Sequence, residues 1–419
     1  MISTSSEYKE AIKKNREFSI HDVYTLTRNS IKIEMETGDF LAYSIDDLVT
    51  DDSNGIAIGT AAAKEYKVTL NNSNGKFDDV DFREAKIQAE VGVKLSDGTI
   101  EHIPKGKYTV DSAYFTELTV EIIAYDDMIK FDRSYSESTL EFPAYCADIV
   151  REASEVCGVP VKIIEESVYW DILESVRIKT KPEDVNLTFR DMLKFCAKMA
   201  FSYWRISENG TLELNSILTY FESLPYEDNI INGGKFRNNP YAYKKENDKD
   251  GGDFNNYSSG DSLDGIQHPG VKDAHIYNIL NAKISTDITR ITGLRIEYVV
   301  NNKKKIKNIW FNKDNISEDS NVIRVVIDCN IDERYAIEIE NLAEMCCIYH
   351  PTGYLARDLS VSCLSDPSIT TGDIVTATDR KQNSFYFFVT HAKFLFGEKQ
   401  LLENSCRGNI KSVRTIIKN

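Results

Sequence analysis

Apolar and polar residues alternate with a period of two over much of this chain. Ile31, Ile33 and Met35 alternate with Lys32, Glu34 and Glu36, the pattern of a half-buried strand. Tyr66, Val68 and Leu70 repeat it, and the turn-forming run NNSNG at 71–75 follows. Leu118, Val120, Ile122 and Ala124 share one face of another predicted strand. Residues 85–126 read as strand, tight turn, long strand, tight turn, strand: AKIQAEVGVKL, SDG, TIEHIPKGKYTVDSAY, FTE, LTVEIIAYD. Residues 373–407 repeat that rhythm: DIVTAT, DRKQN, SFYFFVTHAKFLF, GEK, QLLENSCR. A duplicated β-unit suggests two barrel-like lobes, since closing a sheet removes its exposed edges.

Between the copies the period changes. FPAYCADIVREASEVCG predicts a helix starting at Pro143 and stopped by Gly158, with Tyr145, Ile149, Ala153 and Val156 on its inner face. LTFRDMLKFCAKMAF predicts a second helix, with Thr188 and Asp191 as a capping box. SYWRI, a turn at Glu208-Asn209-Gly210 and TLELN then predict a hairpin. Residues 221–283 are rich in Gly, Asn, Asp and Ser without a sustained period, as in a long crossing loop. Strand texture resumes at GLRIEYVV, with NNKKKIKN at 301–308 expected as a hairpin tip. Asp332 is placed to cap a helix over 333–349, which Pro351 stops.

The expected fold class is α+β and β-rich: two tail-tube-like β-barrel lobes, a small α/β domain and a helix-containing segment. The expected domains are an N-terminal arm over 1–22, a first lobe over 23–133 and the α/β domain over 134–220. The crossing segment over 221–283 and a second lobe over 284–419 complete the division.

Composition narrows the function. The chain has 419 residues, 42% hydrophobic and 28% charged, enough for about three domains. Its 22 tyrosines and 19 phenylalanines suit pleated surfaces. A formal charge of −16 argues against a surface built to hold phosphates. The N-terminal residues lack the apolar stretch of a signal peptide, and no apolar run reaches the length of a membrane span. Eight cysteines without a Cys-x-x-Cys pair read as buried free thiols.

Each candidate for chemistry has a plainer reading. Cys346 and His350 stand four apart on a predicted helix, a zinc-compatible spacing, but a structural zinc needs four ligands and no second pair lies nearby. NDKDGG at 247–252 resembles the start of a calcium loop, with Asp248 and Asp250 in place, but Gly252 takes the third ligand position and no Glu follows. The acid pairs Asp46-Asp47 and Asp126-Asp127 are expected by chance among 66 acids. Lysines 303, 304, 305 and 307 read as a solvated tip. No catalytic, cofactor-binding or metal-binding residue is therefore assigned, and no cofactor is expected.

Several short runs carry a resemblance. They are Ile103-Pro104-Lys105-Gly106-Lys107-Tyr108-Thr109-Val110, the run from Ile122 to Lys130, and Leu187-Thr188-Phe189-Arg190-Asp191-Met192-Leu193. Near the C-terminus come Ser365-Asp366-Pro367-Ser368, Thr371-Gly372-Asp373-Ile374-Val375, Thr378-Asp379-Arg380 and Asn383-Ser384-Phe385-Tyr386. In this order they resemble the tail and baseplate hub proteins of phages of Gram-positive bacteria and of phage-derived contractile particles. Lys381-Gln382 before Asn383, Phe396-Gly397-Glu398 at the last turn and the length of 236–270 depart from that pattern. These are turn positions, where variation costs little.

The resemblance implies a non-enzymatic structural hub, a homotrimer joining a sixfold tail tube to a threefold spike. Six lobes from three chains would imitate the tube. The implied partners are the chain itself, the tail tube or tube-initiator protein, the central spike, surrounding baseplate proteins and the tape measure protein, with DNA only in transit. An acidic lumen would not retain that DNA. The implied location is the particle's tail baseplate, assembled in the bacterial host cytoplasm. The chain ends at Asn419, shortly after the second unit, an ending expected of a contractile tail or a bacteriocin particle. Two alternatives remain. One is a tail-associated peptidoglycan endopeptidase, although residues 134–220 contain no histidine. The other is a carbohydrate-binding tail-tip module using Tyr241, Tyr243 and Tyr257.

Overall fold

The computed structural model describes residues 2–14, 17–50, 58–163, 168–182, 184, 186–216, 274–276, 279–284, 289–291, 293–310, 322–331, 335–336, 354–356, 358–364, 366–378, 384–396 and 402–410. Helix α1 (Ser6–Lys13) opens the chain. Seven strands follow: β1 (Phe18–Thr25), β2 (Lys32–Glu36), β3 (Phe40–Leu48), β4 (Glu65–Asn71), β5 (Lys86–Lys94), β6 (Ile100–Phe115) and β7 (Thr119–Tyr125). Burial alternates strictly along β4 and β7, as their sequences predict. One core gathers their inward residues, including Tyr24, Tyr43, Tyr66, Val68, Val91, Tyr108 and Ile122.

The middle of the chain forms a second unit. It contains β8 (Ala144–Tyr145), α2 (Cys146–Cys157), α3 (Val168–Ser175), β9 (Arg177–Ile178), α4 (Phe189–Met199), β10 (Ser202–Ile206) and β11 (Leu212–Ser216). Helix α4 has the expected cap: the Thr188 side chain accepts from the Asp191 amide and the Asp191 carboxylate accepts from the Thr188 amide. It buries Phe189, Met192, Leu193, Cys196, Ala197 and Met199, and each large apolar side chain contributes about 1.5–3 kcal/mol when fully buried. Helix α2 begins at Cys146, later than Pro143, because Ala144 and Tyr145 pair with β9 instead.

The remaining strands are β12 (Ala274–Ile276), β13 (Ile279–Ile284), β14 (Thr289–Ile291), β15 (Gly293–Val300), β16 (Lys303–Trp310), β17 (Val322–Ile331), β18 (Tyr354–Ala356), β19 (Asp358–Leu364), β20 (Ile374–Thr378), β21 (Ser384–Phe396) and β22 (Leu402–Ile410). The strands of residues 373–407 thus fall at β20, β21 and β22 as expected.

The pairing redistributes several segments. Strands β15, β16 and β17 were expected in the second lobe, which was to begin at 284. They form a 5-stranded sheet in the order β16-β15-β17-β9-β8, and their apolar residues share the core of α2 and α4. The physical reason is that the α2–α4 helices need a sheet to cover their apolar faces. The tip at 301–308 shrinks to Asn301 and Asn302, both at positive φ, so Lys303, Lys304, Lys305 and Lys307 lie in β16. Part of the expected crossing loop is strand, at β12 and β13. The expected arm contains α1, which buries Tyr8 and Ile12 against Val93 and Ile103. The helix expected over 333–349 lies largely outside the described residues.

The first unit and the C-terminal unit share one 13-stranded sheet, whose main path runs β13-β19-β22-β21-β3-β4-β7-β6-β5-β1-β2. Strand β21 makes the join. Its first half pairs with β20, and its second half pairs with β3, Phe394 opposite Ile45 and Lys393 opposite Asp46. Closure of the first lobe on itself was expected. The edge of β3 is instead covered by β21, which removes an exposed edge equally well. No described helix is long and apolar enough to cross a membrane.

Candidate functional site

A dense polar cluster lies where the three units meet, at the seam side of β3. Strand β6 carries a bulge: Ala89 pairs with Gly106, and Glu90 pairs with Pro104. The unpaired residue between them is Lys105. A bulge re-aims a side chain, and this one turns Lys105 inward, where it is 8% exposed. Gly106 sits at φ +126, and a Cβ there would come within 2.8 Å of Tyr108 Oη. The Lys105 Nζ donates to Pro367 O at 2.9 Å and lies 5.3 Å from the centre of the Phe394 ring. Burial pushes its pKa down to about 8.

Lys64 donates to Glu208 at 3.1 Å and lies 3.8 Å from Asp47. Arg205 on β10 donates to Glu208 at 2.6 Å and to Thr371 O at 2.9 Å. Burial alone would raise the pKa of Glu208; the charges of Lys64 and Arg205 outweigh it and hold the carboxyl well below its usual range. The Thr371 amide donates to Asp47 at 3.4 Å, and the Thr370 amide to Asp373 at 2.8 Å. Gly372, at φ +83, is where a Cβ would meet Tyr203 Oη at 2.3 Å, so the backbone approaches β10 closely only because this residue is glycine. Tyr8 of α1 donates to Asp366 at 2.8 Å. Alongside, Asp46 on β3 bonds His391 at 2.6 Å and accepts from Lys393 at 2.8 Å, both on β21.

This arrangement explains the sequence runs that carried the resemblance. Lys105 comes from one run and Pro367 from another, and they touch. Gly372 and Asp373 shape the loop that receives Arg205. Asp126, from the run at 122–130, is buried, caps the turn at Met128 and has its pKa raised to about 7 by burial. These residues join units. The crevice among Ile45, Asp47, Lys64, Lys105, Glu208 and Thr370 has room for about one water, which is too little for a sugar or a peptide.

The other candidates disperse. Asp127 pairs with Lys130 at 2.8 Å on the surface. Lys304 pairs with Glu297 at 2.7 Å on the sheet. Cys146, Cys157 and Cys196 are free and buried, and Cys329 and Cys363 are buried. Cys346, His350, Asp248, Asp250, Tyr241, Tyr243 and Tyr257 lie outside the described residues. The junction itself was missed, because its members come from distant segments and each reads alone as a solvated charge. The inward signal was Lys105 beside Gly106, a charged residue and a glycine interrupting a long strand.

No protein-family model matches the chain, and no curated protein matches it. Solved structures do. A tail protein from Neisseria meningitidis is 12% identical with a TM-score of 0.50, covering 93% of this chain and 96% of that one. A prophage tail protein from Shewanella oneidensis is 11% identical with a TM-score of 0.45, covering 93% and 97%. A prophage tail protein from Listeria monocytogenes is 11% identical with a TM-score of 0.45, covering 94% and 95%. At such identities the likeness is one of fold, and with the Neisseria protein it runs over 93% of the chain: the polypeptide shares the fold of that tail protein.

Proposed function

We propose that this chain is a structural component of a phage or phage-derived tail baseplate, serving as its hub. The observation that carries the reading is the β3–β21 join, which fuses two β-units of one chain into a continuous sheet. A homotrimer of such chains offers six β-units to a sixfold tube and three chains to a threefold spike. Closed rings of repeated units are the usual way for an assembly to cover its edges. The tail-protein fold supports the same reading, as does a junction filled by ion pairs, with room for about one water. In this reading the partners are the tail tube or its initiator, the central spike, the surrounding baseplate proteins and the tape measure protein. In this reading an acidic lumen lets DNA pass.

The test is the mass of the purified chain in solution, followed by averaged electron micrographs of particles that contain it. A trimeric mass, or a threefold ring between tube and spike, is the expected result. A stable monomer that degrades peptidoglycan in a zymogram would overturn the reading. A basic lumen in the reconstructed ring would remove the account of DNA passage.

A further inference from the structure

We propose that the outer face of the first β-unit carries a transition-metal site, of the class that takes zinc(II), built from His21, Glu90 and His102. One ligand atom from each lies within 4.8 Å of the others. Three neighbouring strands converge there. His21 on β1 is directly opposite Glu90 on β5. His102 on β6 is directly opposite Gly92, two residues beyond Glu90 and therefore on the same face. Glu34 on β2 reaches the same face, 4.0 Å from His21 Nε2.

Gly92 makes the convergence possible. A Cβ there would lie 2.4 Å from Ser19 Oγ and 2.5 Å from Ile100 Cγ2. Without a side chain at 92, His102 leans across: its ring is edge-on to that of His21, centroids 5.8 Å apart, and its Nδ1 is 3.6 Å from Glu90 Oε2. Gln88 donates to the other oxygen, Glu90 Oε1, at 2.8 Å and steadies the carboxylate.

An independent observation points to a ligand. The Nδ1 of His21 is buried and, among the described residues, has no hydrogen-bond partner, a state that calls for explanation because buried polar atoms are nearly always paired. Two imidazoles and a carboxylate are a donor set suited to zinc and its neighbours, and poorly suited to calcium or magnesium, which prefer oxygen. The remaining coordination position falls to water. The half-exposed ligands leave the ion a path from solvent. Once bound, it ties β6, β5 and β1 together on the face opposite the Tyr-rich core.

The experiment uses the full chain without a histidine tag, stripped with a chelator, and titrated with zinc chloride in a calorimeter. One equivalent binding at micromolar or tighter affinity is expected. His102→Ala and His21→Ala should each weaken it by more than the about 10- to 100-fold that loss of a supporting residue costs. His391→Ala, on the seam, should bind as wild type does. Cobalt(II) gives a second readout: a visible absorption band of four-coordinate type, lost in His102→Ala. Far-UV circular dichroism in chelator shows that each variant folds, and Glu90→Gln, a near-isostere, repeats the test if either alanine variant fails to fold. The proposal falls if the wild type shows no binding at millimolar zinc, or if His102→Ala, or Glu90→Gln in its place, binds with wild-type affinity and band.

Discussion

Asp22 is a fully buried acid inside a single β-unit, and Glu208 is a partly buried one where three units meet. Asp22 is surrounded by neutral donors: Tyr66 Oη at 2.6 Å, Tyr43 Oη at 3.3 Å and the Glu90 amide at 3.2 Å. Burial dominates, and its pKa rises to about 7. Glu208 has Lys64 and Arg205 against it and stays ionised far below neutrality. Within a unit, a protonated acid satisfies its neighbours through hydrogen bonds. Between units, charge pairing fixes which surface meets which, since a wrong neighbour would leave a buried charge uncompensated. The contrast predicts that the two sites respond differently to substitution and to pH.

Glu208→Gln gives the largest expected effect. It removes the carboxylate that Arg205 and Lys64 share and leaves Lys64 only Asp47, at 3.8 Å, and breaking such a largely buried network costs about 3–5 kcal/mol. Urea denaturation monitored by tryptophan fluorescence reads the loss. Replacing Lys64 by Met as well should recover part of it, because the stranded charges are then fewer. A single-variant loss below about 1 kcal/mol would mean that the junction is solvated and that the comparison with Asp22 does not hold.

Asp22→Asn comes next and is read through pH. The folded pKa of Asp22 lies above its unfolded value, so its contribution is complete below about pH 4 and is lost as pH rises through about 7. Wild-type stability therefore falls across that window relative to the variant, by about 2–4 kcal/mol. The two chains should be similar near pH 4 and diverge toward pH 8. Parallel curves would show that Asp22 is not the titrating group.

How much of this was open to sequence reading follows from the same physics. Strands β5, β6 and β7 were legible because local alternation fixes both the period and the turns. Strand β21 was legible for the same reason, and the Thr188–Asp191 cap because it is local. The β3–β21 join was not, since each strand alternates equally well against any partner. The junction was not, since Lys64, Lys105, Arg205 and Glu208 are ordinary surface residue types until bulge and turn geometry aim them inward. Asp22 stood in an alternating strand on its apolar face, between Ile20 and Tyr24. That misfit was the visible sign of the buried network.

Tyr66→Phe sharpens the Asp22 half of the comparison. Tyr66 donates to Asp22 and its hydroxyl lies 2.6 Å from that of Tyr24. Its bond favours the ionised carboxylate, so removing it should move the Asp22 titration to higher pH. A lost hydrogen bond to a charged group costs about 1.5–3 kcal/mol, and the loss should be greater at pH 8 than at pH 5. Equal losses at both pH values would mean that the ring's packing, and not its hydroxyl, is what Tyr66 supplies.

Asp46→Ala has the smallest expected effect and probes the seam between the units directly. Asp46 is half-buried, bonds His391 and Lys393 across β3–β21, and has a pKa lowered by those two partners against the opposing effect of burial. The seam also rests on apolar contacts, with Phe394 3% exposed and its ring 6.1 Å from that of Tyr43. Partial exposure screens the ion pairs, so their loss should cost about 1 kcal/mol. Because the acid is lowered, its contribution is present above its unfolded pKa and disappears as pH falls through the folded one. Wild type and variant should thus converge at low pH. Hydrogen exchange of the β21 amides locates the effect. Faster exchange over 391–396 than over 384–388 is expected, since only the first of these stretches pairs with β3. Uniform acceleration along β21 would mean that the strand opens as one piece, and that the ionic clamp serves the whole C-terminal unit and not the join.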